Sequence, residues 1–131
     1  MKVLLISTTG AAIAAALALS QPAAAQPAPG PAGCFRLSDM GNHTVVDSHT
    51  LYVAMGRKDV WRFDMTGACL AGAGPGDPLV ITPTGGMSII CKPLDLDIKV
   101  STIGGLSPCL LNSMTKLTPQ QVEAIPRKLR P

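Results

Sequence analysis

Aromatic side chains are scarce in this 131-residue chain, which holds two Phe, one Tyr and one Trp. A protein that grips single-stranded nucleic acid needs a basic groove with aromatic faces for base stacking. Phe35, Tyr52, Trp61 and Phe63 do not lie among clustered cations, and the net charge is only +3. The excess of positive charge after residue 25 sits in Arg127-Lys128-Leu129-Arg130, so no nucleic-acid partner is expected. Histidine is also rare: His43 and His49 belong to no H-x-x-x-H or H-E-x-x-H pattern, which removes the usual helical zinc motifs. No two cysteines are spaced as C-x-x-C, so neither a zinc ribbon nor a thioredoxin-like dithiol is indicated. The glycine-rich stretch Gly72-Ala73-Gly74-Pro75-Gly76-Asp77 lacks the G-K-[ST] ending of a phosphate loop. Pro75 also removes a backbone donor that a phosphate would need. That stretch reads as a flexible surface connection. No motif calls for a cofactor.

What is present begins with an address. Lys2 provides a short positive region, and Val3 to Leu19 follows as an uncharged, Ala-rich stretch. Ser20-Gln21-Pro22 breaks it, and Ala23-Ala24-Ala25 gives the A-x-A pattern of signal-peptidase cleavage before Gln26. Residues 1–25 thus read as a secretory signal peptide. Two alternatives are weaker. A retained anchor would be short for a membrane span and lacks a basic flank before Arg36. Lipidation after Ala32-Gly33 at Cys34 would leave an odd number of cysteines in an oxidising compartment. Export leaves about 106 residues, enough for one domain that buries roughly two thirds of its unfolded surface.

Cys34, Cys69, Cys91 and Cys109 all follow the signal, where thiols oxidise, and an even count fits two disulfides. Three pairings are open. The nested one, Cys69 with Cys91 and Cys34 with Cys109, is favoured because Cys69 and Cys91 bound consecutive apolar segments expected to lie side by side.

Residues 26–33, QPAPGPAG, form a Pro/Gly/Ala leader; 34–125 form the domain; 126–131 form a basic tail. The domain reads as mainly β, an antiparallel meander or small barrel of five to seven short strands. Its strongest hairpin joins Thr50–Met55 to Val60–Met65, with Leu51, Val53 and Met55 facing the same core as Trp61, Phe63 and Met65. Thr44–Asp47, Leu79–Thr82, Met87–Cys91, Leu94–Val100 and Cys109–Met114 are further strand candidates, and 71–78 is a long loop. One short helix is expected after Thr118-Pro119-Gln120-Gln121, a capping box with proline at the first helical position, ending at Pro126.

The chemical candidates are few. Asp95 and Asp97 alternate onto one strand face with Lys99, which suits a solvated face better than a calcium site. Asp47 and His49, with Ser48 or Ser88, can be assembled on paper into a hydrolase triad, although no G-x-S-x-G frames either serine. Trp61 belongs to the core stripe rather than to a ligand site. The order of Cys34-Phe35, Val45-Val46-Asp47, Leu51-Tyr52-Val53, Gly67-Ala68-Cys69, Ile90-Cys91-Lys92-Pro93-Leu94-Asp95, Pro108-Cys109 and Lys116-Leu117-Thr118-Pro119 resembles a family of small exported proteobacterial proteins classed as a domain of unknown function. The resemblance implies an exported, cysteine-stapled domain and brings no activity or site residues. The leading expectation is a non-enzymatic periplasmic or secreted protein that binds a protein partner or envelope component. A small hydrolase using Asp47 and His49 is the alternative, and a structural role using the basic tail on anionic surfaces is a third.

Overall fold

The hairpin stripes dictate the core. In the computed structural model, which describes residues 33–131, Thr50–Met55 and Asp59–Thr66 pair antiparallel with Leu51 opposite Phe63 and Val53 opposite Trp61. All six stripe residues are buried, and Leu51 and Phe63 have no exposed surface. The expected signal peptide (1–25) and the expected leader apart from Gly33 lie outside the described residues.

Along the chain the strands are β1 (Phe35–Arg36), β2 (Met40–Val45), β3 (Thr50–Met55), β4 (Asp59–Thr66), β5 (Leu79–Pro83), β6 (Ile89–Ile90), β7 (Leu96–Thr102) and β8 (Gly105–Lys116). Helix α1 covers Pro119–Ala124. Six strands form one curled antiparallel sheet in the order β2-β3-β4-β8-β7-β5, and β1 pairs with β6 in a small second sheet. The fold is therefore mainly β, a single small domain with one short helix. The alternation of β7 holds from Leu96 onward: Leu96, Ile98 and Val100 are buried while Asp97 is exposed. Met87–Cys91 departs from expectation, because only Ile89–Ile90 is extended and it pairs with β1 rather than with the main sheet.

Curling brings the two edge strands toward each other. The connection 67–78 leaves β4, inserts Leu70 into the core with 1% exposure, and passes beside β2 on its way into β5. There the Val45 N–H donates to the Pro75 carbonyl at 2.9 Å, and His43 Nε2 donates to the Asp77 carbonyl at 2.8 Å. Asp77 Oδ2 accepts the Gly74 N–H at 2.8 Å, and the Leu70 N–H donates to the Ser48 carbonyl at 3.2 Å. The glycine-rich stretch is thus tied at both ends and is no flexible connection. Pro75, which has no donor to offer, is used as an acceptor.

The disulfide pairing is crossed, not nested. Cys34 bonds Cys91 and Cys69 bonds Cys109, with Cα separations of 4.1 and 5.3 Å. Strand order explains the correction. The neighbour of β4 is β8, where Thr66 stands opposite Leu110, so the chain just beyond β4 reaches Cys109 and not Cys91. Phe35 opposite Ile90 likewise sets Cys34 beside Cys91. Each bridge closes a long loop, of 57 and 40 residues in sequence separation. Taken singly, loops of that size correspond to about 4 kcal/mol of lost unfolded-state entropy.

The C-terminal helix follows its capping box: Gln121 N–H donates to Thr118 Oγ1 at 3.3 Å, and Thr118 N–H donates to Gln121 Oε1 at 2.8 Å. Ile125, just past its end, is buried. The basic tail folds back, with Arg130 donating from Nε to the Ile125 carbonyl at 3.0 Å and from Nη2 to the Glu123 carbonyl at 2.6 Å. Cations at a helix C-terminus satisfy its open carbonyls, so Arg130 is engaged within the fold.

Cleaving the unreduced protein after Met40, after Met87 and after Lys99 separates all four cysteines. Mass spectrometry should then find the Cys34 peptide joined to the Cys91 peptide and the Cys69 peptide joined to the Cys109 peptide; a Cys69–Cys91 product would contradict this strand order.

Candidate functional site

The turn joining β2 to β3 carries the residues of the paper triad. Asp47 Oδ1 accepts the backbone N–H of His49 and of Thr50, both at 2.8 Å. A short acidic side chain bonding two residues ahead is the usual device for fixing such a turn. The His49 N–H foremost holds the Asp47 carboxyl below its ordinary range; partial burial opposes it, and the Thr50 hydroxyl and N–H and then the nearby imidazole outweigh that opposition. The Ser48 hydroxyl lies 2.7 Å from His49 Nδ1. Asp47 therefore meets His49 through the backbone, and no hydrogen bond joins the carboxylate to the imidazole among the described residues. Ser88 lies elsewhere, on the approach to β6, where its carbonyl accepts the Leu37 N–H at 2.9 Å.

The two carboxylates of the D-x-D pair separate. Asp97 stays on the outer face of β7 and pairs with Lys99 at 2.9 Å. Asp95 is outside the strand, in the 3-10 turn Pro93–Asp95, where its Oδ2 accepts the N–H groups of Cys91 and Lys92 at 2.9 and 2.8 Å. Those two bonds hold the Asp95 carboxyl below its ordinary range. Pro93 starts that turn and delays the strand to Leu96, which is why plain alternation from Leu94 fails. Among the described residues no three His, Cys, Asp or Glu side chains group as metal ligands.

Two surfaces that the residue patterns did not mark stand out. The first is a cleft of about 320 Å³ in the seam between β2 and β5, lined by Leu37, Met40, His43, Val53, Leu79 and Ile81. Its volume is at the small end for a ligand pocket. Because a carbonyl only accepts, the Asp77 oxygen fixes the proton of neutral His43 on Nε2. The second is the outer face of β5, β7 and β8. There Val80 stands opposite Lys99, Lys99 opposite Pro108, and Ser101 opposite Leu106. Val80, Leu106 and Leu110 are exposed on it, Leu110 by 61%, and Ile103 projects from the β7–β8 turn. The outer face over β3, β4 and β8 is polar by contrast: Arg62 pairs with Asp64 at 2.8 Å, and Asp64 accepts from Ser113 at 3.1 Å. A solvated outer face of an antiparallel sheet is ordinarily polar. In the sequence Leu106 and Leu110 are indistinguishable from core residues of a strand, since only the register tells inward from outward.

Among the described residues no helix is long and apolar enough to cross a membrane.

Because the folded-state value of Asp47 lies below its unfolded one, its contribution is complete above about pH 4 and is lost as pH falls through the lower folded value. Asp47→Ala should lower neutral-pH stability by about 0.5–1 kcal/mol, at the low end for bonds to a charged group because the site is exposed, and should flatten the acid side of the stability curve. His49→Ala, which keeps the backbone donor and removes only the weaker effect of the imidazole, should change both far less than Asp47→Ala; urea titrations between pH 2 and 7 measure each.

No protein-family model, curated protein or solved structure matches this chain, so its own residues carry what can be said of its function.

Proposed function

We propose that this chain is an exported, disulfide-stapled β domain that works by binding, without catalysis, a protein partner or envelope component in the periplasm or outside the cell. Its place in the small exported family that its cysteine order resembles is part of the same proposal. Two disulfides suit an oxidising compartment. The observation that carries the binding reading is the exposure of Val80, Leu106 and Leu110 on the outer face of β5, β7 and β8, beside the Asp97–Lys99 pair. Large aliphatic side chains left in water and rimmed by polar residues suit an interaction site. The reading of Asp47 and His49 as hydrolase residues loses support, because the carboxylate is occupied in fixing a turn.

Cross-linking the tagged chain in the exporting cell tests this. The captured chain should begin at Gln26 and carry a reproducible partner. The Leu106→Asp, Leu110→Asp double variant should fold with an unchanged melting temperature and lose that partner. Capture of nothing, or capture unaffected by the two aspartates, would count against the apolar face as the binding surface.

A further inference from the structure

The core is unfinished on one side. Ile98 and Val100 on β7 have no exposed surface, yet Ile81 and Leu79, which stand opposite them on β5, are only half-buried. Met40 at the start of β2 and Leu37 before it are half-buried too, and all four side chains wall the seam cleft. The inner face of the sheet thus stays open to water between β5 and β2.

Strand phase shows which main-chain groups border that opening. The Ser101 N–H donates to the Pro78 carbonyl at 2.9 Å, so the alternation of an antiparallel ladder also turns the N–H and C=O of Val80 and Thr82 toward β7. Leu79 and Ile81 turn theirs the other way, and so does the Pro83 carbonyl. Among the described residues no strand pairs with β5 on that side. The ties from β2 to the incoming connection stop at Pro75 and Asp77, before β5 begins. Edges of this kind are normally guarded by charge, proline or a bulge. β2 is guarded: a bulge breaks its ladder between Met40 and His43, and the Val45 and Met40 N–H groups donate to the Pro75 and Leu37 carbonyls. β5 reads Leu-Val-Ile-Thr-Pro, with no charge and a proline only at its end.

We propose that β5 takes an extended segment of another polypeptide as an added strand, with apolar side chains at alternate positions of that segment filling the seam cleft. Main-chain bonds to Leu79, Ile81 and Pro83 hold the segment, and its side chains set selectivity. A strand added here directs every second side chain to the inner face, between Ile81 and Met40. Those positions are uncharged, because no wall of the cleft carries a charge and an inward Lys or Glu would lose its water with no counter-ion. A second copy of this chain fits less well: its own β5 is flanked by its own β2 and Leu37, whereas a lone strand has no such flank. The contact is separate from the outer face of Val80, Leu106 and Leu110, whose side chains lie on the other side of the sheet.

Amide hydrogen exchange on the oxidised, isotope-labelled protein tests this. The probe is a synthetic peptide of alternating valine and threonine flanked by lysines, added at millimolar concentration. In the free chain the Leu79 and Ile81 amides should exchange faster than those of Val80 and Thr82, and the peptide should slow them at least about ten-fold. Its fully backbone-N-methylated counterpart, which has the same side chains and no N–H groups, should leave them fast. Ile81→Lys should abolish the protection, and the Leu106→Asp, Leu110→Asp variant should keep it. Leu79 and Ile81 amides already as slow as those of β3 in the free chain would overturn the proposal, as would amides that stay fast with the peptide. Equal protection by the N-methylated peptide, or protection lost in the Leu106→Asp, Leu110→Asp variant, would overturn strand addition at β5. Protection that rises with protein concentration alone would overturn it in favour of a second copy.

Discussion

One backbone hydrogen bond, from the Val45 N–H to the Pro75 carbonyl, decides what kind of object this sheet is. A six-stranded antiparallel sheet has two edges, and each edge is a row of unpaired donors and acceptors open to another chain. Here the connection from β4 to β5 is drawn past β2, so the chain that feeds one edge is pinned to the other. The His43 contact to Asp77 adds a second point to the same seam. Beyond those points β2 and β5 diverge, and the cleft lined by Met40, Leu79 and Ile81 occupies the gap. Closure and opening are two consequences of one crossing connection.

That connection is itself held from inside. Leu70 is buried in the core and Cys69 is bonded to Cys109 on β8, so the segment has an apolar anchor and a covalent one before it reaches Pro75. The other bridge serves a different end of the molecule, where Phe35 rests on Trp61 and Phe63. With so few aromatics in the chain, placing three of the four against one another gives the core its one cluster of large side chains. The bridges are crossed, so their loops share residues 69–91 and together restrain the chain from Cys34 to Cys109.

Much of this is legible in the sequence. The stripes of Leu51, Val53 and Met55 and of Trp61, Phe63 and Met65 specify a hairpin by local alternation alone, and the Thr118 box specifies a helix start through neighbours three residues apart. What escaped was non-local. Disulfide partners follow from strand order, and β4 finds β8 across more than forty residues, which no local pattern encodes. Asp95 was misplaced because Pro93 diverts the chain into a turn before the strand begins. The glycine-rich stretch looked loose because its restraints come from β2 and from the core. Leu106 and Leu110 carry the composition of buried residues, and only the register with β7 turns them outward.

The outward Val80, Leu106 and Leu110 are the surface on which the proposed binding role rests. That face depends on the sheet staying curled, with β2 held to the 67–78 connection at Pro75. Amide hydrogen exchange at Val45 measures that closure most directly. If the bond to Pro75 holds the seam, this amide exchanges as slowly as those of the central strands β3 and β4. If it exchanges as fast as amides in the exposed Ile103–Gly105 turn, the sheet is open at its edges and the account of the fold is wrong.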